Sequence, residues 1–542
     1  MCEDKQTQQA DRRAARGYIL EIYTALFLAV FPFYNTDHYF SVLSDRAGFF
    51  QIVTWAMAVT LLVEEGLHRF RTGKDARMGS VREWVKKIPL EYVFLAAFLL
   101  GSAVSTLLSD YRTEAWNGAA GRLQGLSMWL SYGAVFFCIA RFHHPGKRHI
   151  WIFLVSGTIV ALWGICDYIG LGLSWWLADV KESQKHMFTS SIGNINTYTA
   201  FLAIGFSLSG AYAVYQDIQG QWIKRGTLAL LSVFFLFTIA LITGRSDNAV
   251  IGVAAFFLAV PLWIQDTRRA ARYLMLLAVF FIAFPAAALL SVHTVNPYME
   301  VPDGILLKVG IRGRLLFLLA SITFLAAAFC LSRKEKPLSH RLRWIWLACL
   351  AVSGIFLILI FLYVNFCADA GRYGAAETYL KFNDDWGTSR GLCWRLAYES
   401  YGKFPLFKKF IGSGPETFGI IMKQEHYQEM LQRCGQVFDS PHNEFIQYLF
   451  CTGILGAIFY YAFLVSCFLK GMCRDTVGKA AAIAILVYTA VSFVNISVPI
   501  TQPYSIMFAA WCSSQKNKER RLGIPKVLGK KNRSEPKEVR MD

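Results

Sequence analysis

Residues 226–264 read GTLALLSVFFLFTIALITGRSDNAVIGVAAFFLAVPLWI. Two apolar runs, 226–243 and 247–264, flank a short polar turn that carries one arginine, Arg245. Each run approaches the roughly 20 residues that an α-helix needs to cross the ~30 Å hydrocarbon core of a bilayer. One such hairpin can hide inside a large soluble core, but a long series cannot. Twelve further apolar stretches lie near 18–34, 47–63, 90–108, 124–140, 150–170, 191–215, 273–291, 314–331, 344–364, 444–470, 480–499 and 503–514. The last is short. The expected fold class is therefore an all-α integral membrane protein with about fourteen transmembrane helices.

Composition agrees. Of 542 residues, 55% are hydrophobic and only 17% charged, with a mean hydropathy of +0.37. Soluble chains carry about 25% charged residues, so a soluble cytoplasmic enzyme is excluded. The net charge of +18 raises the question of nucleic acid, but its placement points to a membrane. With the N-terminus in the cytoplasm, 37 of the 55 Lys and Arg residues fall on the inner side. That is the positive-inside pattern of an inner-membrane protein with an even number of spans. The expected organisation is a cytoplasmic tail 1–17, helices over 18–364, a long extracytoplasmic loop 365–440 carrying short helices, helices over 441–514, and a basic cytoplasmic tail 515–542. The tail suits anionic lipid headgroups better than nucleic acid. The polar start followed by a long apolar run reads as a start-transfer helix, not a cleavable signal. The twelve cysteines show no metal-ligand spacing. Cys367, Cys393 and Cys434 share the long loop, where one disulfide is open and its pairing is not deducible.

The inner loops carry no P-loop and no other nucleotide-binding pattern, so a cytoplasmic nucleotide-driven engine is absent. The informative polar residues are all on the outer side. Arg245 sits in the tight turn Thr243-Gly244-Arg245-Ser246-Asp247-Asn248. It either snorkels to headgroups or grips a phosphate through its guanidinium fork. In the long loop, Trp394, Tyr398 and Tyr401 fall on one helical face, with Arg390 one turn earlier. This is either an interfacial helix or a lid whose arginines, Arg390 and Arg395, face a ligand. Asp439-Ser440-Pro441-His442-Asn443-Glu444 precedes an apolar run. Ser440 reads as the N-cap and Pro441 as the first helical residue, which places His442 and Asn443 in the first turn. The positive helix end then favours a neutral imidazole, suited to a general base. Gly193-Asn194-Ile195-Asn196 opens another span, as ordinary capping or as the polar lining of a wet cavity.

Taken together, these residues resemble the O-antigen ligase and polymerase superfamily. His442-Asn443, nine residues, then Gly453-Ile454-Leu455-Gly456 matches its H-N-x9-G-x-x-G signature. Gly412-Ser413-Gly414-Pro415 with Phe418, and Ser389-Arg390 with Trp394, are also similar to it. Gly121-Arg122-Leu123-Gln124-Gly125 resembles its outer-loop Arg-x-x-Gly. Asn194 and Asn196 match its Gly-Asn-Pro-Asn run, although Ile195 replaces the proline. The resemblance spans about residues 120–500 and implies a GT-C-like membrane glycosyltransferase. Such an enzyme moves a glycan from undecaprenyl pyrophosphate to an acceptor hydroxyl on a lipid, glycan or protein at the outer face. It needs no metal or other cofactor. The family's functional trio maps to Arg245, Arg390 and His442. Asn443, Glu444, Arg122, Asn194, Asn196 and Arg395 are the expected substrate-binding residues. A polysaccharide polymerase shares the same motifs, and a lipid-linked sugar transporter is a more distant alternative.

Overall fold

The computed structural model describes residues 2–72, 88–119, 122–172, 174–178, 180–216, 225–294, 296, 304–310, 313–332, 335–369 and 371–514. The basic tail 515–542 and Gly121 lie outside the described residues. Among those described, the protein is helical apart from one short antiparallel pair, Phe188–Thr189 with Gly193–Asn194. Each of the fourteen apolar stretches falls on a helix. Nine helices among the described residues are long and apolar enough to cross a membrane. Three apolar helices are shorter: Leu126–Phe142, Asn248–Trp263 and Thr476–Ser492. This is an all-α, multi-pass membrane protein.

Two expected spans need correction. The stretch 480–499 is helical only to Ser492. Residues 493–501 are irregular and mostly buried. Irregular backbone survives at membrane depth only when it is enclosed by protein. The stretch 503–514 forms Gln502–Ser513, and all twelve residues are buried. At 1.5 Å per residue it is about 18 Å long, too short to cross alone.

Burial arranges the helices about a centre. Ile195–Tyr215 is buried almost throughout, against Thr476–Ser492 and Arg225–Thr243. At the other extreme, His340–Phe366 buries only Val364. It is tied to the bundle by Trp346, whose Nε1–H donates to the Leu258 carbonyl at 3.0 Å. Lipid tails are as apolar as leucine, so close packing and polar contacts hold such bundles together. Aromatic rings supply much of that packing. Phe27, Phe31, Phe50 and Tyr504 meet with centroids 4.7–6.3 Å apart.

The helix Glu444–Met472 is broken at Gly453, where φ is 71° and ψ −177°. The chain folds back there. The Tyr460 hydroxyl reaches Glu444 Oε1 at 3.5 Å, and the Tyr448 and Tyr460 rings are 4.2 Å apart. A straight helix would separate residues 444 and 460 by about 24 Å. The break strands the carbonyls of Phe450 and Cys451. Ser413 N–H donates to the first at 3.2 Å and Gly414 N–H to the second at 3.0 Å. Gly412, at φ 83°, lies so close that a Cβ would stand 2.2 Å from the Cys451 oxygen. The Gly412–Pro415 turn and the Gly453–Gly456 run are thus two halves of one joint.

Alanine at Gly453 would set its Cβ 2.3 Å from the Phe410 carbonyl carbon, at a backbone angle that alanine resists. Strain and overpacking together should cost about 2–4 kcal/mol, read as a large fall in Tm of the reconstituted protein. Gly101→Ala, which meets open space, should change little. Equal Tm values for the two variants would remove the break from its structural role.

Candidate active site

Left-handed backbone is rare for residues other than glycine, and it collects where a structure holds functional groups under strain. Eight described non-glycine residues have positive φ. Six are Leu123, Arg245, Thr388, Ser389, Glu416 and His442. They come from five separate stretches of chain, and each belongs to or adjoins one of the segments described next.

Arg245 has φ 55° and donates from Nη2 to the His186 carbonyl at 3.0 Å. It lines a cavity of about 170 Å³ with Tyr39, Asp167, Lys185 and Tyr198. Its turn is pinned from below. Ser246 Oγ donates to Asn196 Oδ1 at 2.7 Å and Asn248 Nδ2 to the same oxygen at 3.4 Å. Asn194 caps the central helix by accepting from the Asn196 N–H at 2.9 Å. Asn196, expected to bind substrate, also holds the Arg245 turn, and Asn194 caps the helix that carries it. On the far side of the turn, Asp247 Oδ1 accepts from the Ile305 N–H at 2.8 Å.

Arg390 follows three left-handed residues, Gly387, Thr388 and Ser389, so the regular helix begins at Arg390 itself. Its Nη1 donates to the Gly387 carbonyl at 3.1 Å, and its buried Nε has no hydrogen-bond partner. Burial lowers the pKa of its guanidinium, against the pull of Asp247 and Cys393. Arg390 is thus an electrostatic neighbour of the Arg245 turn. Trp394 turns inward and donates from Nε1 to the Pro441 carbonyl at 2.8 Å. Tyr398 is 81% exposed, so the expected aromatic face is not uniform.

His442 does not begin a helix, contrary to the sequence reading. It has φ 50° and precedes the cap. The N-cap is Asn443, whose Oδ1 accepts from the Ile446 N–H at 3.1 Å, and the helix starts at Glu444. Nor does the helix end keep the imidazole neutral. Burial pushes its pKa down to about 4, helped by the charges of Arg390 and Arg122 and opposed by Asp439. His442, Arg390 and Arg122 are therefore neighbours. Residues 122 and 442 belong to loops far apart in the chain, joined by an Arg122 Nη2–Asp439 Oδ1 ion pair of 2.5 Å.

Glu444 is buried, and its Oε1 accepts from Tyr448 at 3.1 Å, Tyr488 at 3.4 Å and Tyr460 at 3.5 Å. Arg395 departs from expectation. Asp384 takes it through two oxygens at 3.0 Å each, Glu399 at 2.8 Å and Glu429 at 2.6 Å. These carboxylates raise its pKa and occupy its donors, so it braces the loop instead of facing a substrate anion. Glu416, Gln447 and Asn495 were missed by the sequence reading. Asn495 Nδ2 donates to the Asn196 carbonyl at 3.1 Å, and Asn495 shares a cleft with Arg122, Asn443 and Glu444. The one available signal was Glu416 following the Gly412–Pro415 turn.

Among the described residues, Glu21, His143 and His149 place ligand atoms within 4.8 Å of one another, in a cluster separate from these segments. His149 Nδ1 accepts from the Gly146 N–H at 3.1 Å, so its proton sits on Nε2, which faces Glu21 at 3.2 Å. A metal-ligating histidine has the opposite arrangement, with its second nitrogen donating. The cluster reads as a close His149–Glu21 contact with the His143 ring edge-on to His149, centroids 4.9 Å apart. Cys367, Cys393 and Cys434 are not disulfide-linked.

Residues 304–461 match the family model described as O-Antigen ligase. The matched segment includes Arg390, Glu416, His442, Asn443, Glu444 and Gly453, and leaves out Arg122 and Arg245. No curated protein matches the chain. Over these residues, less than a third of the chain, this multi-pass membrane protein is similar to the O-Antigen ligase family, in line with the resemblance read from its motifs.

Proposed function

We propose that this protein is a GT-C-like glycosyltransferase with fourteen membrane crossings, counting shorter helices that span with help from adjoining segments. It transfers a glycan from a polyprenyl-pyrophosphate carrier, undecaprenyl pyrophosphate being the expected one, to an acceptor hydroxyl. The reaction takes place at the outer face of the inner membrane. The observation that supports this reading is that left-handed backbone recurs at or beside two arginines and a neutral histidine. Arg245 and His442 are themselves at φ 55° and 50°, and Arg390 directly follows Thr388 and Ser389 at 58° and 67°.

Charge decides the roles. The leaving group is a diphosphate whose negative charge grows as the anomeric C–O bond breaks. Arg245 and Arg390 are placed to receive it as fixed donors, in the part that a divalent cation plays elsewhere. Arg122 is held by Asp439 and belongs to the acceptor side. The acceptor hydroxyl gives its proton to a nitrogen of His442, its oxygen bonds to the anomeric carbon, and the electron pair of the broken bond leaves with the diphosphate. Direct displacement inverts that carbon. An imidazole with a pKa near 4 is neutral at every physiological pH, so its lone pair is free to take a hydrogen bond from the acceptor hydroxyl, although it is a weaker base than an ordinary histidine. Asn443 or Glu444 would position the acceptor or fix the imidazole, and the long loop would keep water from competing with the acceptor. A ligase and a polymerase differ only in the acceptor. Incubation with donor alone separates them, because only a polymerase lengthens chains.

Arg245→Lys and Arg390→Lys keep the charge but lose the fork. Each should lower transfer by about 10²–10³-fold in reconstituted protein. Wild-type rates in both would remove the diphosphate role. His442→Ala should lower turnover by about 10²–10⁴-fold while donor binding persists. Loss of donor binding without loss of chemistry would remove the base. The His442 ring itself should stay neutral down to about pH 5, read from imidazole 15N shifts, because its pKa is held near 4. The unfolded chain binds that proton first, near the ordinary histidine value of ~6.5. This histidine's contribution to stability is thus present above pH 6.5 and lost as the pH falls toward 4. Arg122→Gln, which deletes a positive neighbour, should move the titration upward. A ring that titrates near 6.5 in the wild type would contradict its burial between the arginines.

A further inference from the structure

Arg46 stands apart from the four arginines around the site. It lies in the first turns of the helix Val42–Thr72 and is wholly buried. Its hydrogen bonds go to backbone carbonyls. Nη2 donates to Pro32 at 2.7 Å and to Ser191, and Nε donates to Tyr34 at 3.3 Å. Nη1 has no partner. The adjoining carboxylate, Asp45, is spent on its own neighbours: its Oδ2 accepts from the Thr36 N–H at 2.6 Å and from the Ser41 hydroxyl at 2.5 Å. A buried cation without an anionic partner is costly. What a guanidinium offers in return is several N–H donors in one rigid plane, enough to tie carbonyls from two separate segments to a third.

Those segments lead to Arg245. The loop 186–196 holds the Arg245 turn at both of its ends. The His186 carbonyl accepts from Arg245 Nη2 at 3.0 Å, and Asn196 Oδ1 accepts from Ser246 Oγ at 2.7 Å. Arg46 holds the middle of the same loop at Ser191, whose Oγ donates to the Pro32 carbonyl at 2.7 Å. Tyr39, from the connection that also carries Pro32, donates its hydroxyl to the Ser190 carbonyl at 2.7 Å. The Ser190 N–H in turn donates to Asp167 Oδ2 at 2.6 Å. Backbone strain marks the same place. Two left-handed residues lie outside the segments of the site, His38 at φ 42° and Ser190 at 57°. They fall in the two segments that Arg46 joins, and such strain persists only where the surroundings over-determine it.

We propose that Arg46 is a positioning residue for Arg245. By clamping Ser191 to the helix Val42–Thr72, it fixes the loop that grips the Arg245 turn, and it acts on the diphosphate without touching it. This rests on the role proposed above for Arg245. A shift of the loop at Ser191 carries His186 and Asn196 with it, and a displacement of about 1 Å at a charge-receiving group can cost about 10²-fold in rate.

The test is a double-mutant cycle on the full chain in lipid nanodiscs, read as affinity for undecaprenyl diphosphate. Arg46→Leu should weaken binding by about 10-fold, the worth of one charge-assisted hydrogen bond. In an Arg245→Gln background the same change should weaken it by less than about 2-fold, because no guanidinium is left to position. Arg46→Lys, which can still donate to the carbonyls, should fall between wild type and Arg46→Leu, and it replaces the leucine variant in the cycle if that variant does not fold. Equal losses in the two backgrounds, or wild-type affinity in Arg46→Leu where Arg245→Gln binds weakly, would overturn the proposal and spare the donor reading. Hydrogen exchange of the 186–196 amides reports on the clamp without the ligand, and it should speed up in Arg46→Leu. If Arg245→Gln binds the diphosphate as tightly as wild type, the donor reading fails. Faster exchange in Arg46→Leu then leaves the clamp standing, and unchanged exchange removes it.

Discussion

One backbone break organises the outer end of this protein. A helix that ran straight from Glu444 to Met472 would satisfy its own carbonyls and carry residue 460 far from residue 444. At Gly453 the chain turns through a conformation that only glycine takes without strain. Two carbonyls lose their helical donors, and the Gly412–Pro415 turn supplies replacements. Hydrogen bonds inside a membrane bundle must be completed by protein, so the break and the turn require each other. Their union fixes the long loop to the bundle. It sets Glu416 next to Gln447 and leaves His442 on the connection between the helices Phe418–Cys434 and Glu444–Met472.

Electrostatics then divides the site. Four arginines approach it, and the protein treats them differently. Arg395 is surrounded by three carboxylates, and Arg122 is paired with Asp439. Arg245 and Arg390 each donate to a backbone carbonyl, and Asp247 is a counter-charge to Arg390. A carbonyl orients a guanidinium without cancelling its charge. His442 sits between the groups, and its neutrality follows from burial and from those same positive neighbours.

Much of this architecture was legible in the sequence, for a physical reason. Apolar stretches of membrane length are a local property, and every one of them became a helix. The failures lie where position depends on distant partners. Nothing local to Arg122 announces Asp439, which is 317 residues away. Nothing local to Arg395 announces Glu429. Ser440 and Pro441 made a plausible helix start, yet the cap falls at Asn443, with His442 at positive φ before it and the Pro441 carbonyl taken by the Trp394 indole N–H. The link from Asn196 to Ser246 and Asn248, some fifty residues on, is likewise not local. Glu416 escaped notice because glutamate carries no sequence mark of a left-handed backbone.

The most direct measurement is the structure of the protein in a nanodisc with a bound polyprenyl diphosphate, solved by electron cryomicroscopy. Diphosphate density lying within hydrogen-bonding distance of both the Arg245 and Arg390 guanidiniums, with His442 facing the anomeric side, is the expected result. A diphosphate seated elsewhere, or held by only one of the two arginines while the other points away, would contradict it.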